Sequence, residues 1–594
     1  MKKLSIIVLV MLFLLALTSC ATVTNTSANV QDSANAQDSV AVVADMVVYG
    51  KIYTSNEQRD VVEAFAVKDG KYIYVGDAEG AKAYLQDGVT EIVDHRGEDR
   101  LILAGATEGH GHYILASTMV AKNLFMTAST IDEVVDYMRE HVKTHPTQKL
   151  YFTYGWDNVQ LASVKAKTDI RALLDSICSD KIIVMMDNTG HNAFLNSKAI
   201  EAAGLTADTE IEGGFLSKDE SGRLLGLVSD IATNYVVYNV IAKSDFMTEE
   251  DFASSMKLAE DLLHSYGYTN YFDAYTSFFG ESAYRGISEY DKKEGMTLNV
   301  GGSFKIDPYN DYDDCLETAV RYKEEYSSKH FFPNSIKLFA DGECVESLSG
   351  WVLSNTAYKD GTTGTQVWPD ETMNYIVREA NEKGIAVHVH ASGDGALQQA
   401  VNAFIAAEEV AAEGVLNCVA HSRNVTEETL DKMAEHDIYS ATNICWRMFF
   451  ADALEAIEEK FDMDFYMAGY PMKSLLARGI NMTSSTDYPS NSGAPCDIAN
   501  IIEIAVNGTV DAGGLEVLSL DKSECISVED ALDVMTINGA IQLGIQEERG
   551  SIEVGKYADF LILNKDILSC EPDQIHEGQV NKVYFEGLEV YSAN

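Results

Sequence analysis

The stretch that decides the fold is Leu101-Ile-Leu-Ala-Gly-Ala-Thr-Glu-Gly-His-Gly-His112. An apolar strand-like run ends in small residues, and two histidines follow with one residue between them. Because side chains alternate along a strand, His110 and His112 point to the same side. Two imidazoles that converge at the end of a strand can share one metal ion. A single His-x-His is also common as ordinary surface polarity, so a metal site is predicted only if later strands end in similar residues.

Four later strand-like runs carry such residues at or near their ends: Lys337, His390, His421 and Asp487. In a barrel of parallel strands the carboxyl ends form one face, where active sites are found. Histidines and a carboxylate suit zinc or a similar divalent ion. Such an ion activates water, and a nearby carboxylate can take the proton and pass it to a leaving nitrogen.

Each candidate also has a purely structural interpretation. His421 could be a core histidine with satisfied hydrogen bonds, Lys337 could extend along a barrel strand, and Asp487 could cap a helix. His388 shares the strand face of His390 and competes with it as a ligand, although the Gly-Asp pair after His390 favours His390.

Strand-like and helical patterns alternate through residues 104–545. Apolar residues recur at helical spacing in 131–144, and the helical pattern of 373–383 leads into a strand at 385–390. This alternation indicates a parallel sheet in an α/β protein, and we expect a (β/α)8 barrel of the TIM type. Because a plain barrel needs only roughly 250 residues, a large insertion around residues 113–334 is predicted.

The two ends of the folded region are rich in strand patterns. Residues 46–75 include an Asp-Gly hairpin signal, and residues 550–591 show similar runs of short strand patterns. We therefore predict a small β-sandwich domain built from residues 44–103 and 546–594, beside the barrel.

The N-terminus has the pattern of an export signal. Two lysines precede an apolar run, Leu4 to Leu17, that is shorter than a membrane span of about 20 residues. Its ending, Leu17-Thr-Ser-Cys20, resembles a bacterial lipobox. We predict a lipoprotein signal peptide at residues 1–20, lipidation of Cys20 and a flexible tether at residues 21–43. The protein is then anchored on the extracytoplasmic side of the cell envelope; the alternative is an ordinary signal peptide cut near Ala21.

The chain is strongly acidic, with 92 acidic and 44 basic residues and a formal net charge of −48. This charge argues against nucleic acid and anionic membrane surfaces as partners. It serves either solubility alone or the steering of cationic substrates, and the sequence leaves both open. The nine cysteines include no Cys-x-x-Cys pair, which argues against a zinc knuckle and a disulfide framework.

Several motifs resemble those of the metal-dependent amidohydrolase superfamily, and most closely of amidohydrolase family 3, which includes N-substituted formamide deformylases. The first-strand motif of that family usually reads Pro-Gly-Phe-x-Asp-x-His-x-His and matches residues 105–112. Further matches are a lysine strand, a His-Ala-x-Gly-Asp motif, the next histidine, a Ser-Asp-x-Pro motif, two motifs of the inserted region and the return into the sheet domain. They fall at residues 337–342, 390–394, 421, 486–489, 155–157, 190–199 and 550–559.

The resemblance implies roles for individual residues. The implied metal ligands are His110, His112, Lys337, His390, His421 and Asp487. Among these, His390 and Asp487 would be catalytic, with Asp487 the general base, and Lys337 could carry a carbamate that bridges two metals. The implied cofactor is one or two divalent ions, most simply zinc. Trp156, Asp157 and His191 would line the substrate pocket, with a core role the alternative for Trp156.

The chain departs from the family pattern in its first strand. Glu108 replaces the usual aspartate, and Ala104 and Ala106 replace proline and phenylalanine. Because a glutamate is one methylene longer, the geometry of this strand and the number of metals stay open.

Two classes of function fit these observations. The first is a hydrolase of carbon–nitrogen bonds in a small amide, formamide or cyclic amide, with deamination of a heterocycle as a variant of the same chemistry. The second is a solute- or metal-binding lipoprotein without catalysis. A pure binding protein has no need of Asp487 beside four histidines, so the sequence favours the enzyme. The expected partners are a small substrate and the membrane through the lipid anchor alone, and a homodimer is one assembly compatible with them.

Overall fold

The computed structural model describes residues 42–157, 168–244, 246–342, 350–354, 358–490 and 494–593. The predicted signal peptide, Cys20 and nearly all of the predicted tether lie outside these residues. Within the described ranges, no helix combines the length and apolar character needed to cross a membrane. No disulfide bond joins any two of the seven cysteines in the described ranges.

The strands of the two chain ends form one mixed sheet. These strands are β1 (Met46–Tyr53), β2 (Val61–Lys68), β3 (Lys71–Gly76), β4 (Glu91–Asp94), β5 (Leu101–Ala104), β22 (Phe560–Leu563), β23 (Val580–Phe585) and β24 (Leu588–Ser592). The sheet branches at β1, whose first half pairs with β4 and whose Ile52 pairs with Ile102 of β5. The antiparallel ladder between β5 and β22 joins the two ends of the chain.

The central sheet is a nearly closed barrel of eight parallel strands. In hydrogen-bonded order they are β6 (Ala106–Gly111), β13 (Tyr268–Asp273), β14 (Asn299–Lys305), β15 (Phe331–Phe339), β16 (Ala386–Ala391), β17 (Cys418–His421), β18 (Tyr439–Thr442) and β20 (Met482–Ser484). The ring closes just beyond β20, where the backbone N–H of Asp487 donates to the His110 carbonyl over 2.9 Å. The expected α/β fold with a TIM-type barrel is confirmed.

The opening stretch of the sequence is two strands rather than one. Its first four residues form β5 in the end sheet, and the chain enters the barrel as β6 after the single residue Gly105. A Cβ atom on Gly105 would lie 2.1 Å from Oγ1 of Thr269 on the neighbouring strand β13. Only glycine therefore fits where the chain passes from one sheet to the other.

A separate six-stranded sheet interrupts the barrel. It contains β7 (Phe125–Ala128), β8 (Leu150–Trp156), β9 (Ile182–Asp187), β10 (Asn192–Leu195), β11 (Gly214–Lys218) and β12 (Leu224–Asp230). The predicted insertion, around residues 113–334, extended too far because β13 and β14 belong to the barrel. Both strands mix polar residues or glycines into their apolar runs, and Asn299 of β14 donates to Asn270 of β13 over 2.8 Å. Their pattern therefore lacks the continuous apolar run of a buried parallel strand.

Two short strands, β19 (Met448–Phe450) and β21 (Val517–Ser519), form a separate antiparallel pair.

Helices cover the barrel and the inserted sheet. They are α1 (Ala78–Ala81), α2 (Tyr113–Ala121), α3 (Ile131–Thr144), α4 (Ile170–Asp175), α5 (Ser197–Ala202), α6 (Ile231–Val236), α7 (Glu249–Tyr266), α8 (Glu281–Glu294), α9 (Tyr312–Tyr326), α10 (Asp370–Glu382), α11 (Asp394–Ala407), α12 (Glu427–Glu435), α13 (Leu454–Lys460), α14 (Met463–Met467), α15 (Met472–Ala477), α16 (Ile498–Asn507), α17 (Val528–Met535) and α18 (Ile537–Leu543).

Helix α7, which leads from the insertion back to the barrel, has sequence-encoded ends. Thr248 and Asp251 form a capping box at its start, where each side chain binds the other residue's backbone N–H. Gly267 ends it in the left-handed conformation, with φ of 97°. The helix therefore stops at the residue before β13 begins.

Candidate active site

The two histidines of the opening stretch meet Asp487 at the carboxyl end of the barrel. The Nε2 atoms of His110 and His112 lie 3.4 and 3.1 Å from Oδ1 of Asp487. One potential ligand atom from each of the three residues lies within 4.8 Å of the other two. The predicted convergence of the first strand with the last is therefore present, in a geometry that one ion could bridge.

His390 and His421 stand on the same face of the barrel. Their ring centroids are 4.3 Å apart, and the His421 ring is 5.0 Å from that of His110. Nδ1 of His421 lies 2.8 Å from Oδ1 of Asn443, while its buried Nε2 has no hydrogen-bond partner within the described ranges. A metal-ligating histidine has this arrangement, with one nitrogen oriented by a neighbour and the other left for the ion.

Lys337 is fully buried beside this cluster. Its Nζ lies 3.4 Å from Nε2 of His110, the same nitrogen that faces Asp487. Strand β15 therefore brings Lys337 to the other candidate ligands, rather than extending its side chain along the barrel wall.

His388 takes a different position from His390. Nε2 of His388 lies 2.7 Å from Nδ1 of His110, and its ring stacks on Phe272 with centroids 4.4 Å apart. His388 thus contacts the His110 nitrogen that faces away from Asp487, where it orients the ring. His390 instead has its Nε2 3.4 Å from Oδ1 of Asp341. This geometry favours His390 over His388 as the candidate ligand.

Glu108, the departure from the usual aspartate, stays outside the His110–His112–Asp487 group. Its Oε1 accepts from the backbone N–H groups of His110 and Thr486 over 3.1 and 3.0 Å. The carboxyl group therefore ties β6 to the segment after β20, and burial raises its pKa to about 8. The glutamate side chain, one methylene longer than that of aspartate, spans the junction between β6 and the segment after β20.

Burial sets the charge state of the cluster. It lowers the pKa of His421 to about 4 and holds the pKa values of His110, His388 and His390 well below the ordinary value. Burial acts to raise the pKa of Asp487, but hydrogen bonds from His110 and His112 outweigh it and hold that pKa well below its usual range. Neutral imidazoles and an ionised carboxylate are the forms that bind metal.

A cavity of about 810 Å³ opens above the cluster. The insertion contributes His191 and Asp230, whose Nδ1 and Oδ1 atoms are 3.2 Å apart. Many of the other lining residues are aromatic: Tyr154, Tyr275, Phe278, Phe339, Trp351, Trp446, Phe449, Phe450, Tyr466 and Tyr470. Such a lining suits a small substrate with apolar groups.

Two predicted pocket residues are not in this lining. Trp156 is fully buried in the inserted domain, where it stacks on Phe194 at 4.1 Å and donates from Nε1 to the Met185 carbonyl over 2.8 Å. Asp157 is half-buried at the end of the same strand and is also not part of the described lining. The register of β8 against β9 shifts between Tyr154 and Trp156, so Tyr154 reaches the cavity whereas Trp156 packs into the insertion's own core.

Four residues that line the cavity have left-handed backbone conformations without being glycine. Their φ values are 54° at Asp230, 75° at His421, 55° at Tyr470 and 56° at Asp487. Such conformations are costly for ordinary residues and persist where the surrounding structure enforces them, often at functional sites.

Sequence reasoning missed Asp341 and Arg423. Asp341 accepts from the backbone N–H groups of Ser392 and Gly393 over 3.0 and 2.8 Å, which fixes the loop after His390. It lies in the lysine-strand motif and could have been found there. Arg423 lines the cavity two residues after His421, and its aromatic neighbours come from distant loops, so no local pattern marks it.

Comparison with known proteins identifies the family of this chain. The chain matches the amidohydrolase family over residues 96–591. It belongs to that family. This amidohydrolase is a metal-dependent hydrolase of carbon–nitrogen bonds, as the motifs predicted, and its His110–His112–Asp487 group offers ligand atoms for a divalent ion.

Two curated relatives are distant in sequence but match about nine-tenths of this chain. A Bacillus subtilis relative named as an amidohydrolase is 26% identical over 551 residues, or 91% of this chain and 98% of that one. The N-substituted formamide deformylase of Arthrobacter pascens is 22% identical over 554 residues, or 91% and 97% of the two chains. A metal-dependent hydrolase of Pyrococcus furiosus has a solved structure that is 22% identical, with a TM-score of 0.65 over 88% of this chain and all of that one. This structural similarity supports the fold.

Proposed function

We propose that this amidohydrolase is a zinc enzyme that hydrolyses a small amide, formamide or cyclic amide, with Asp487 as general base. The observation that carries the proposal is the position of Oδ1 of Asp487, 3.1 and 3.4 Å from the Nε2 atoms of His112 and His110, beneath a cavity of about 810 Å³. The relative from Arthrobacter pascens, a formamide deformylase by name, supports the class of substrate.

The donor set fits a zinc ion. His110, His112 and Asp487 offer two imidazole nitrogens and a carboxylate, and the buried Nε2 of His421 has no hydrogen-bond partner in the described part of the chain. With His390, these residues would hold the metal. When bound, a divalent ion supplies the Lewis acidity that makes water a nucleophile at neutral pH.

The chain's own residues then handle protons and orientation. Asp487, ionised because of its hydrogen bonds to the two histidines, takes a proton from the attacking water and returns it to the leaving nitrogen. His191 and Asp230 hold polar groups of the substrate at the opening contributed by the insertion. The aromatic walls exclude bulk water, which strengthens every polar interaction inside the cavity.

We further propose that Lys337 is carbamylated. The neutral amine adds to carbon dioxide and loses one proton, which converts a poor metal ligand into an anionic one. Its complete burial and the 3.4 Å between its Nζ and Nε2 of His110 support this, because a free ammonium there would stand beside the nitrogen donors of a metal centre. A carbamate could bridge two ions.

The experiment combines removal of the metal with substitution of Asp487, the proposed general base. Purified full-length protein is analysed for metal and screened against N-formyl and N-acyl amines, cyclic amides and, as a second reaction, amino-substituted heterocycles. Chelation should abolish hydrolysis and zinc should restore it. Asp487→Asn should lower kcat by roughly 10²- to 10⁴-fold. The exposed Asp261→Asn is the matched control and should behave as wild type. Full activity in metal-free protein would refute the proposal.

We also propose that the protein is a lipoprotein held in the cell envelope through Cys20. The Leu17-Thr-Ser-Cys20 sequence behind a short apolar run supports this location. The acidic body would then work outside the cytoplasm on small molecules that reach the envelope.

A further inference from the structure

A buried arginine lies in the wall of the catalytic cavity. Arg423 is 4% exposed and follows His421 by two residues. His421 and Ser422 both have left-handed backbone conformations, with φ of 75° and 45°. This turn takes the chain out of the direction of β17 and places Arg423 in the cavity lining.

The contacts of Arg423 are all with neutral groups. Nη1 donates to Oδ1 of Asn424 over 3.0 Å, and Nη2 donates to the carbonyl of Tyr466 over 3.1 Å. The guanidinium carbon also lies 4.5 Å from the ring of Trp351, 4.1 Å from that of Tyr466 and 5.4 Å from that of Tyr470. Among the described residues, no carboxylate forms an ion pair with it.

The other two buried arginines serve different purposes. Arg549 forms ion pairs with Asp559 and Glu586, which neutralise it. Arg447 donates to the carbonyls of three residues and lies outside the described cavity lining. Arg423 alone of the three combines a place in the catalytic cavity with the lack of a described acidic partner.

This arrangement is unfavourable unless something else compensates the charge. A buried ion is costly without a counter-ion, and the three aromatic rings recover only part of that cost. The chain has 92 acidic residues, so counter-ions are abundant in its sequence. An anionic group delivered by a ligand would complete the site, because a guanidinium presents paired N–H groups that match a carboxylate.

We propose that Arg423 binds a carboxylate of the substrate, so that the preferred amides carry a free carboxylate beside an apolar or aromatic group. The proposal rests on the proposed amide hydrolysis and narrows its substrate class. Trp351 and Tyr466 would contact the apolar part of the substrate next to that carboxylate. Arg423 is thus a specificity residue, while Asp487 performs the chemistry.

The acidic surface does not contradict this proposal. Fields from exposed charges are screened beyond about 10 Å at ordinary salt, so the net charge affects approach rather than binding inside the cavity. A polyanion would be repelled at the surface. A compact substrate with one carboxylate would lose little on approach and gain a charge-assisted contact inside.

Equilibrium binding tests the proposal without requiring turnover. The probes are 3-phenylpropanoate and its neutral analogue 3-phenylpropanamide, titrated calorimetrically into the metal-loaded full-length protein. We expect the carboxylate to bind roughly 10- to 100-fold more tightly than the amide, as charge-assisted hydrogen bonds allow. Arg423→Met should abolish this preference. Arg378→Met, the same change at an exposed arginine of α10, should preserve it.

Arg423→Lys keeps the positive charge, so it tests the proposal even if the Arg423→Met protein does not fold. It loses the paired N–H geometry, so the preference should fall about 3- to 10-fold. If a folded Arg423→Met protein binds the carboxylate as tightly as wild type does, the metal rather than Arg423 holds it and the proposal is overturned. Equal binding of both probes by wild type, or an unchanged preference in Arg423→Lys, also overturns it.

Hydrolysis of N-formylbenzylamine separates this proposal from the general function. If the neutral formamide is hydrolysed but binding shows no carboxylate preference, only the role of Arg423 is wrong. If binding shows the preference but neither this compound nor N-formylphenylalanine is hydrolysed, the proposed hydrolysis is wrong and the anion site stands.

Discussion

Substitution of Trp156 tests whether this residue contacts the substrate or belongs to the core of the inserted domain. The resemblance placed it in the substrate pocket, whereas the structure buries it completely at the end of β8, stacked on Phe194 at 4.1 Å. Its Nε1 donates to the Met185 carbonyl over 2.8 Å. Substitution should therefore lower stability and leave catalysis in the folded enzyme nearly unchanged.

The structure sets the size of the effect. Trp156→Ala removes a fully buried indole, a change that costs about 3–5 kcal/mol. The stacking with Phe194 accounts for about 0.5–1.5 kcal/mol of this. Trp156→Phe keeps the stacking but loses one hydrogen bond and part of the ring, so about 1–2 kcal/mol is expected.

The assay measures the thermal unfolding midpoint and kcat/KM on the same preparations. The midpoint should fall in the order wild type, Trp156→Phe, Trp156→Ala, while kcat/KM per folded molecule stays within about threefold because the indole is not part of the described cavity lining. Leu258→Ala, at an exposed position of α7, is the control for truncation and should change neither quantity. A Trp156→Phe protein with the wild-type midpoint and a kcat/KM more than tenfold lower would refute the assignment to the core.

Three further predictions concern other parts of the chain. If Lys337 is carbamylated, bicarbonate should speed metal reconstitution of wild type but not of Lys337→Gln, and intact-mass analysis under native conditions should show one added carbon dioxide. Wild-type protein should partition with membranes and incorporate labelled lipid, and Cys20→Ala should lose that lipid; a soluble wild-type chain beginning at residue 21 would contradict this. Burial acts to raise the pKa of Asp291, but hydrogen bonds led by that of His330 lower it to about 2, so its contribution to stability is present above pH 4 and lost as pH falls toward 2. Asp291→Asn should therefore destabilise the protein by about 1–2 kcal/mol at pH 6 and by much less at pH 2.5, and an equal loss at both pH values would contradict the assignment.

The meeting of the candidate metal ligands could be predicted from the sequence because these residues lie in or just after barrel strands. Barrel strands contain His110, His390, His421 and Lys337. His112 follows directly after β6, the strand of His110, and Asp487 lies three residues beyond the end of β20. Parallel strands bring their carboxyl ends to one face, so strand order and exact register are not needed to predict that these residues meet. The contact between Nδ1 of His110 and Nε2 of His388, by contrast, depends on packing inside the barrel.

The limits of the insertion could not be predicted in the same way. Strands β13 and β14 carry Asn270 and Asn299, which bond to each other inside the protein and replace the apolar side chains expected in a parallel strand. A polar pair buried across two strands has no signature in either strand alone. Trp156 was misplaced because its motif does not show the register shift between Tyr154 and Trp156, beyond which the Trp156 ring packs into the core of the insertion.

Substrate choice in this enzyme is separable from its chemistry. The centre is built by the barrel strands, but the cavity above it is built by loops and by the insertion, which supplies His191 and Asp230. Arg423 illustrates the separation, because it shares a loop with the ligand candidate His421 while its aromatic partners Trp351 and Tyr466 come from other loops. Changes in those loops alter what the cavity binds without moving the strand ends that carry the candidate metal ligands. This chain can therefore keep the barrel of its family while only 22–26% identical to relatives that it matches over nearly their whole length.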